Sequence, residues 1–403
     1  MTRALLVAGL GVVLTACAVE VPRVPVDRFA SGDVAGVAAV MEQALVDGAP
    51  ENEALIRNVL GECELLRGDI DAAHRQFDVA GRIMGNWSTS GGEEFAAIVG
   101  SEGSKTYKGD PYEKGMNAFY LALTFLWRGE PDNARAALKR GILADGEVAD
   151  EKYQADNPLL FWMAGRMSVL MGLDADAESF FAEAQTADEF AGSHGSESDR
   201  EHRVVGDPRR GNVVLLIECG LGPEKIATGQ WGALARFRPV SFPAVTARVS
   251  VGGQELAPPA VLNDVYYQAR TLGGTEMEGI REGKAVFKTT SLIAGTTLLR
   301  SAGKAEDKKT RTAVAATGGV LLLLGALTST RADVRCWPTL PATVQVLCAD
   351  LQPGSHDLVI EFLDPAGRPL PELRQEWTID VPEGGESWFL FRSLPGLDRA
   401  IVS

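Results

Sequence analysis

Residues able to carry covalent or acid–base chemistry are few: five cysteines and four histidines among 403 residues. Their spacing spells out no Cys–His pairing motif, no G-x-S-x-G elbow and no metal-ligand cluster. Carboxylates are plentiful, but no spacing singles out a pair for acid–base work. Cys17 alone sits in a setting that specifies a reaction. It closes Leu14-Thr15-Ala16-Cys17, behind a short apolar run from Leu5 to Leu14 and a positive Arg3. A thiol placed there accepts acyl chains, and two or more chains on one residue anchor stably where one is marginal. The chemistry legible here is anchoring and not turnover, so the chain reads as a non-enzyme with no cofactor and no metal.

Residues 1–16 match a lipoprotein signal peptide, with Leu14 to Cys17 as its lipobox. Ala18 follows the cysteine in place of Asp, which by resemblance to enterobacterial sorting favours the outer membrane, facing the periplasm. Export permits disulfides. Cys336 and Cys348 flank a Pro-rich turn and form the candidate pair; the competing reading is four buried thiols. Cys63 falls within a repeat helix as a small core residue. His194 and His202 lie near Asp199 and Glu201, but without an i, i+4 pair on a helix or a nearby cysteine, which argues against metal.

The elements that position these residues begin with Asp110 to Gly141. Asp110, Pro111 and Glu113 predict a capped helix start, Gly129 a helix end, and Pro131 the next start. The first of these helices is apolar on most sides and must be covered by neighbours. Three segments share one spacing: Gly68, Ala73, Phe77, Ala80; Gly129, Ala134, Leu138, Gly141; and Gly172, Ala177, Phe181, Ala184. Seven residues before each leading glycine stands Gly61, Ala122 or Gly165. This resembles the tetratricopeptide repeat, in which small residues let helices approach and a large one plugs the gap. The large aromatic early in the first helix is present as Phe161 but replaced at Arg57 and Ala118, and the repeats are unevenly spaced. Repeat stacks offer concave surfaces to partners.

The predicted fold class is α+β. A tether (17–32) leads to a tetratricopeptide-like helical domain (33–186), which carries a Gly/Ser-rich insert at Asn86 to Lys108. A flexible linker (187–211) follows, then a mixed strand and helix region (212–331) and a small C-terminal antiparallel sheet (332–403). Asn212 to Cys219 is a continuous apolar run that suits a buried strand. Gly220 to Lys225 lacks the spacing of a phosphate-cradling loop, and Lys225 reads as a surface charge. Val240 to Val245 suits an edge strand, and Leu262 to Arg281 and Glu282 to Leu299 suit helices. Thr312 to Thr330 is free of charge between Arg311 and Arg331; the readings are a buried helix, a membrane-associated one or a spanning one.

Tyr107-Lys108-Gly109-Asp110-Pro111-Tyr112-Glu113-Lys114, the apolar helix with Leu121 and Ala122, Gly220 to Lys225, and Ala332 to Pro341 together resemble an uncharacterised family of bacterial envelope lipoproteins with tetratricopeptide-like repeats. The resemblance covers most of the chain, with Cys336 where a Ser is expected. It marks Tyr107, Tyr112, Asp333, Arg335 and Trp337 as family-motif positions without an assigned role. Asp333, Arg335 and Trp337 alternate, so on a strand they would share one face; a structural clamp and a partner site are the two readings. The resemblance implies envelope proteins as partners, including penicillin-binding-protein machinery, and membrane contact through the acyl anchor. The net charge of −15, from 54 acidic and 39 basic residues, argues against nucleic acid. The functional expectation is a lipid-anchored protein–protein interaction scaffold; the alternative is a structural subunit of a secretion or surface-export assembly.

Substituting Cys17→Ala is expected to move the protein from the membrane to the soluble fraction. Fractionation in mild salt checks this: complete release excludes membrane contact through 312–330, and retention assigns it.

Overall fold

The computed structural model describes residues 22–85, 106–145, 156–197, 202–229, 234–272, 332–397 and 401–402. Cys17 and Thr312 to Thr330 therefore lie outside the described residues, as do the helix expected at Glu282 to Leu299 and most of the insert after Asn86. Among the described residues no helix is long and apolar enough to cross a membrane.

The chain opens with α1 (Val26–Ala30) and α2 (Val34–Asp47), then runs through three helical hairpins. These are α3 (Glu53–Leu66) with α4 (Ile70–Gly85), α5 (Pro111–Trp127) with α6 (Pro131–Asp145), and α7 (Pro158–Leu170) with α8 (Asp174–Ser193). Gly68, Gly129 and Gly172 end the first helix of each hairpin at φ values of +79°, +74° and +70°, a left-handed turn that glycine adopts without a Cβ penalty. The repeat spacing acts as its side chains predict. A Cβ on Gly61 would come within 2.6 Å of the Phe77 ring, and one on Gly141 within 2.7 Å of Ala118. Gly165 meets Phe181 in the same way. Each small residue thus makes room for a side chain of the hairpin's other helix.

The second half contains β1 (Val213–Cys219), β2 (Glu224–Thr228), β3 (Leu234–Arg238), β4 (Thr246–Val251), β5 (Gln254–Glu255), β6 (Ala260–Asp264), α9 (Val265–Leu272), β7 (Thr343–Ala349), β8 (Gly354–Leu363), β9 (Gln375–Val381), β10 (Ser387–Arg392) and β11 (Ile401–Val402). One sheet has the order β11-β10-β1-β7-β6, a second β5-β4-β8-β9, and β2 and β3 form a separate hairpin. β1 pairs parallel with β10 and antiparallel with β7.

The five-stranded sheet is the middle of three layers. Along β1, Val214 and Leu216 join the core shared with the helices, while Val213, Leu215 and Ile217 join the core facing the second sheet. The same split by alternate residues holds for Trp388 and Leu390 against Phe389 and Phe391 on β10. Burial on both faces is why β1 lacks the polar alternation of a half-exposed strand. The first helices of the hairpins, α3, α5 and α7, are the ones covered by this sheet, and they are buried along nearly their whole length.

Several expectations need correction. The C-terminal strands form no separate sheet: β7 and β10 flank β1, and β8 pairs β4. Segment 187–211 is no flexible linker over its described residues. Helix α8 continues to Ser193, and buried Arg166 donates to the carbonyls of Pro208, Arg210 and Gly211. The tether is helical at Val26–Ala30, where Phe29 is fully buried. Val240 to Val245 forms no strand, and the helix expected from Leu262 begins only at Val265. Cys336 and Cys348 form no disulfide. Both are free thiols, Cys336 beside the Pro223 carbonyl and Cys348 opposite Val214 in the sheet, because the chain between them turns into β7.

Alanine at an unstrained helix position usually stabilises relative to glycine by up to about 1 kcal/mol. Gly61→Ala is expected instead to destabilise, by about 1–3 kcal/mol, because its methyl group overlaps Phe77. Gly85→Ala, which meets nothing within 4 Å, is the matched control and should be neutral or stabilising. Urea unfolding of the two variants distinguishes them.

Candidate functional site

The polar residues of the sheet and the helices converge at the boundary between the two layers. Asp110 precedes α5, and its N–H donates to Glu113 Oε2 at 2.7 Å, closing the returning half of the predicted capping box. Glu113 Oε1 accepts from the Trp337 backbone N–H at 2.5 Å. The helix cap thereby ties α5 to the segment that enters β7. Burial, reinforced by Asp110 and opposed by Lys225, pushes the Glu113 carboxyl up to about 7.

Lys225 is not a surface charge. Its side chain is 8 % exposed and its Nζ lies 2.6 Å from Asp110 Oδ2, over the Phe237 ring. Burial works against its charge, but Asp110 and Glu113 outweigh that and hold its pKa up. The Gly220 to Lys225 turn thus delivers a cation to the start of α5.

All five family-motif positions gather around this point. The Arg335 guanidinium grips Asp333 Oδ2 at 2.6 Å, stacks over the Tyr107 ring and donates to the Glu51 carbonyl and to Asn52 Oδ1. Burial opposes ionisation of Asp333, but the bonds from Arg335 prevail and hold its carboxyl low. Tyr112 packs edge-on to Phe237. Trp337 Nε1 donates to Glu62 Oε2 at 2.9 Å. Residues 332–337 are not a strand, so Asp333, Arg335 and Trp337 are brought together by an irregular segment and not by alternation. Each motif side chain is engaged within the joint, the arrangement of a clamp between helix and sheet.

Deeper in the joint lies a cluster that spacing could not reveal. Arg392 on β10 is fully buried with Glu218 on β1 and Glu62 on α3. Its Nη1 is 3.2 Å from Glu218 Oε2 and 3.7 Å from Glu62 Oε1, and its Nη2 donates to the carbonyls of Gly220 and Thr339. Tyr120 donates to Glu218 Oε1 at 2.6 Å, and Thr339 donates to Glu62 Oε2 at 2.6 Å. One guanidinium serves two carboxylates. Burial, against the pull of Arg392 and with the push of Glu218, raises Glu62 to about 8, so near neutral pH a proton removes the excess charge. The signal available in sequence was the lone Glu218 in the apolar run of β1; Glu62 shares α3 with Glu53 and Glu64 and nothing in its spacing sets it apart.

These groups fit a structural role better than a catalytic one. Most of their charged atoms are engaged with one another, and burial pushes the Cys336 and Cys348 thiols up to about 12 and about 11, away from nucleophilic thiolate chemistry. Cys63 and Cys219 are raised by burial as well. Among the described residues no three His, Cys, Asp or Glu side chains form a metal-holding group. His202 pairs instead with Asp188 at 3.1 Å.

Two grooves lie on the surface of the described residues. A 640 Å³ groove at the α3–α4 turn is lined by charges that already pair, Arg67 with Glu64 and Arg128 with Asp71. A 280 Å³ groove lies between α4, α5 and α6, lined by Met84, Lys114, Asn117, Ala118, Arg140 and Leu143. Leu143 is 72 % exposed there, and Arg140 has no ion pair among the described residues.

No protein family and no curated protein matches the chain. Among the solved structures that are similar in part are "Crystal structure of MamA" and "Crystal structure of MamA protein". Both are 14 % identical and cover 41 % of this chain, with 75 % and 70 % of their own lengths and TM-scores of 0.29 and 0.28.

A carboxyl whose pKa rises from 4.5 to about 8 on folding holds its proton more tightly in the folded chain. Its contribution is full below about pH 4.5 and is lost as pH climbs to about 8. Glu62→Gln, which keeps an acceptor for Trp337 and Thr339, is expected to flatten the decline in melting temperature between pH 5 and 8. Parallel melts of the two proteins across that range test this; identical slopes would refute it.

Proposed function

We propose that the chain is a lipid-anchored envelope lipoprotein that acts as a protein–protein interaction scaffold and performs no catalysis. Anchoring rests on Cys17 and its lipobox, and placement in the outer membrane facing the periplasm rests on the residue that follows it. The partner is another envelope protein, with penicillin-binding-protein machinery as the class that the family resemblance implies.

The observation that carries the scaffold reading is the groove between α4, α5 and α6. It joins apolar Met84, Ala118 and exposed Leu143 to Arg140, which has no ion pair among the described residues, in a chain whose net charge is −15. A cation beside an apolar floor suits an extended segment that carries a carboxylate. Occupation of the face formed by α3, α5 and α7 by the chain's own sheet supports this groove over that face as the partner site.

In-cell cross-linking of tagged, lipidated protein followed by mass spectrometry tests the proposal. Wild type is expected to capture one dominant envelope protein, and Arg140→Glu to lower that capture several-fold. Unchanged capture by Arg140→Glu would remove the groove from the proposal. Recovery of the protein alone, in a fixed multiple, would replace the scaffold by a structural subunit of a secretion or surface-export assembly.

A further inference from the structure

We infer that the buried oxygens where α6, α7 and α9 meet form a binding site for a hard divalent cation, with calcium as the best fit. Asp145 ends α6, Asp156 and Asn157 lead into α7, and Gln268 lies on α9. All four are at least 97 % buried, with exposures of 3 %, 1 %, 3 % and 1 %.

Their bonds place them together. Asp156 Oδ2 accepts from the Tyr267 hydroxyl at 2.7 Å, and its Oδ1 accepts from Gln268 Nε2 at 2.9 Å. The Gln268 carboxamide is therefore pinned against the Asp156 carboxylate, and its Oε1 sits on that same amide. The Asp145 carboxyl takes backbone N–H bonds from Asp156 and Asn157, which sets it against the same turn.

After these bonds are made, three oxygens have no hydrogen-bond partner among the described residues: Asp145 Oδ2, Asn157 Oδ1 and Gln268 Oε1. Every spare atom in this cluster is an acceptor. Such atoms are costly to bury unpaired.

The charge is unbalanced in the same direction. Asp145 and Asp156 are both buried, and among the described residues neither forms an ion pair with a Lys or Arg. The contrast is with Glu62 and Glu218, which share Arg392. A divalent cation answers both deficits at once, supplying positive charge and a common partner for the spare oxygens.

Two carboxylates and two carboxamide oxygens form an all-oxygen set. That set suits calcium, which tolerates irregular geometry, better than magnesium, which demands a near-ideal octahedron. It lacks the nitrogen and sulfur ligands preferred by zinc. The site would link the helical layer to α9, which follows directly from β6 of the central sheet.

Full-length protein stripped with EDTA and dialysed is the material for the test, with calcium chloride as the probe. Wild type is expected to show a saturable, one-to-one rise in melting temperature and a matching calorimetric isotherm. Asp145→Asn, which keeps the side chain's shape, should fold and weaken binding by more than about tenfold. Terbium offers a readout on wild type that needs no variant: emission sensitised through Tyr267 should saturate and be displaced by calcium. No effect of calcium on wild type would overturn the inference in favour of a protonated Asp145 or a bound water. The same effect in Asp145→Asn would overturn it in favour of diffuse binding to surface acids.

Discussion

One buried guanidinium, Arg392, sets how the two halves of this molecule meet. It reaches Glu218 on its neighbouring strand, the Thr339 and Gly220 carbonyls, Glu62 on a repeat helix and the ring of Phe29 near the N-terminus. Removing such charges from water costs several kcal/mol per ion, which attraction repays only when geometry is good and remaining lone pairs are bonded. Here Tyr120, Trp337 and Thr339 supply those bonds. The cluster is therefore best understood as fixing register. Apolar residues would bury as well, but they would let the sheet slide against α3 and α5. A slide by one residue would take Glu62 away from Arg392 and Tyr120 away from Glu218, leaving buried polar groups unpaired, while Arg392 and Glu218, register partners in the sheet, would stay together.

The local parts of the fold were legible because they obey local rules. The glycines at Gly68, Gly129 and Gly172, the plugs at Phe77 and Phe181 and the cap at Asp110 depend on neighbours a few residues away. The strand content of 332–403 was legible as well. The strands' partners were not. β1 pairs with β10 and β7 across more than a hundred residues, and no period in the sequence encodes that choice. Lys225 looked like a surface charge because its counter-ion, Asp110, comes from the other half of the chain. Segment 187–211 looked like a linker because its polar composition hides the role of Arg166, which binds its carbonyls from within a buried helix.

The family-motif positions are a middle case. Tyr107, Tyr112, Asp333, Arg335 and Trp337 were visible as a set but not as a site. The structure brings them to the start of α5, where Glu113 bonds backbone N–H groups on both sides of the joint. Such a cluster is expected where an irregular segment must enter a buried sheet. Its backbone polar groups cannot reach water, so side chains must satisfy them. The clamp reading needs no ligand to explain these residues.

The same joint constrains where a partner can bind. In an open repeat stack the first helices of the hairpins would line the concave face. Here α3, α5 and α7 are roofed by the central sheet, and that face is consumed in folding. What remains is the outer surface of α4, α6 and α8 and the ends of the hairpins. The groove with Lys114 and Arg140 lies at the end where α4 closes at Gly85 and α6 closes at Asp145. Residues 86–105 and 146–155 depart from those two points in the sequence. Met84, Gly85, Leu143 and Ala144, at these two helix ends, line that groove, and its Arg140 lacks an ion pair among the described residues. A repeat array that has given its inner face to its own sheet has this border left to offer.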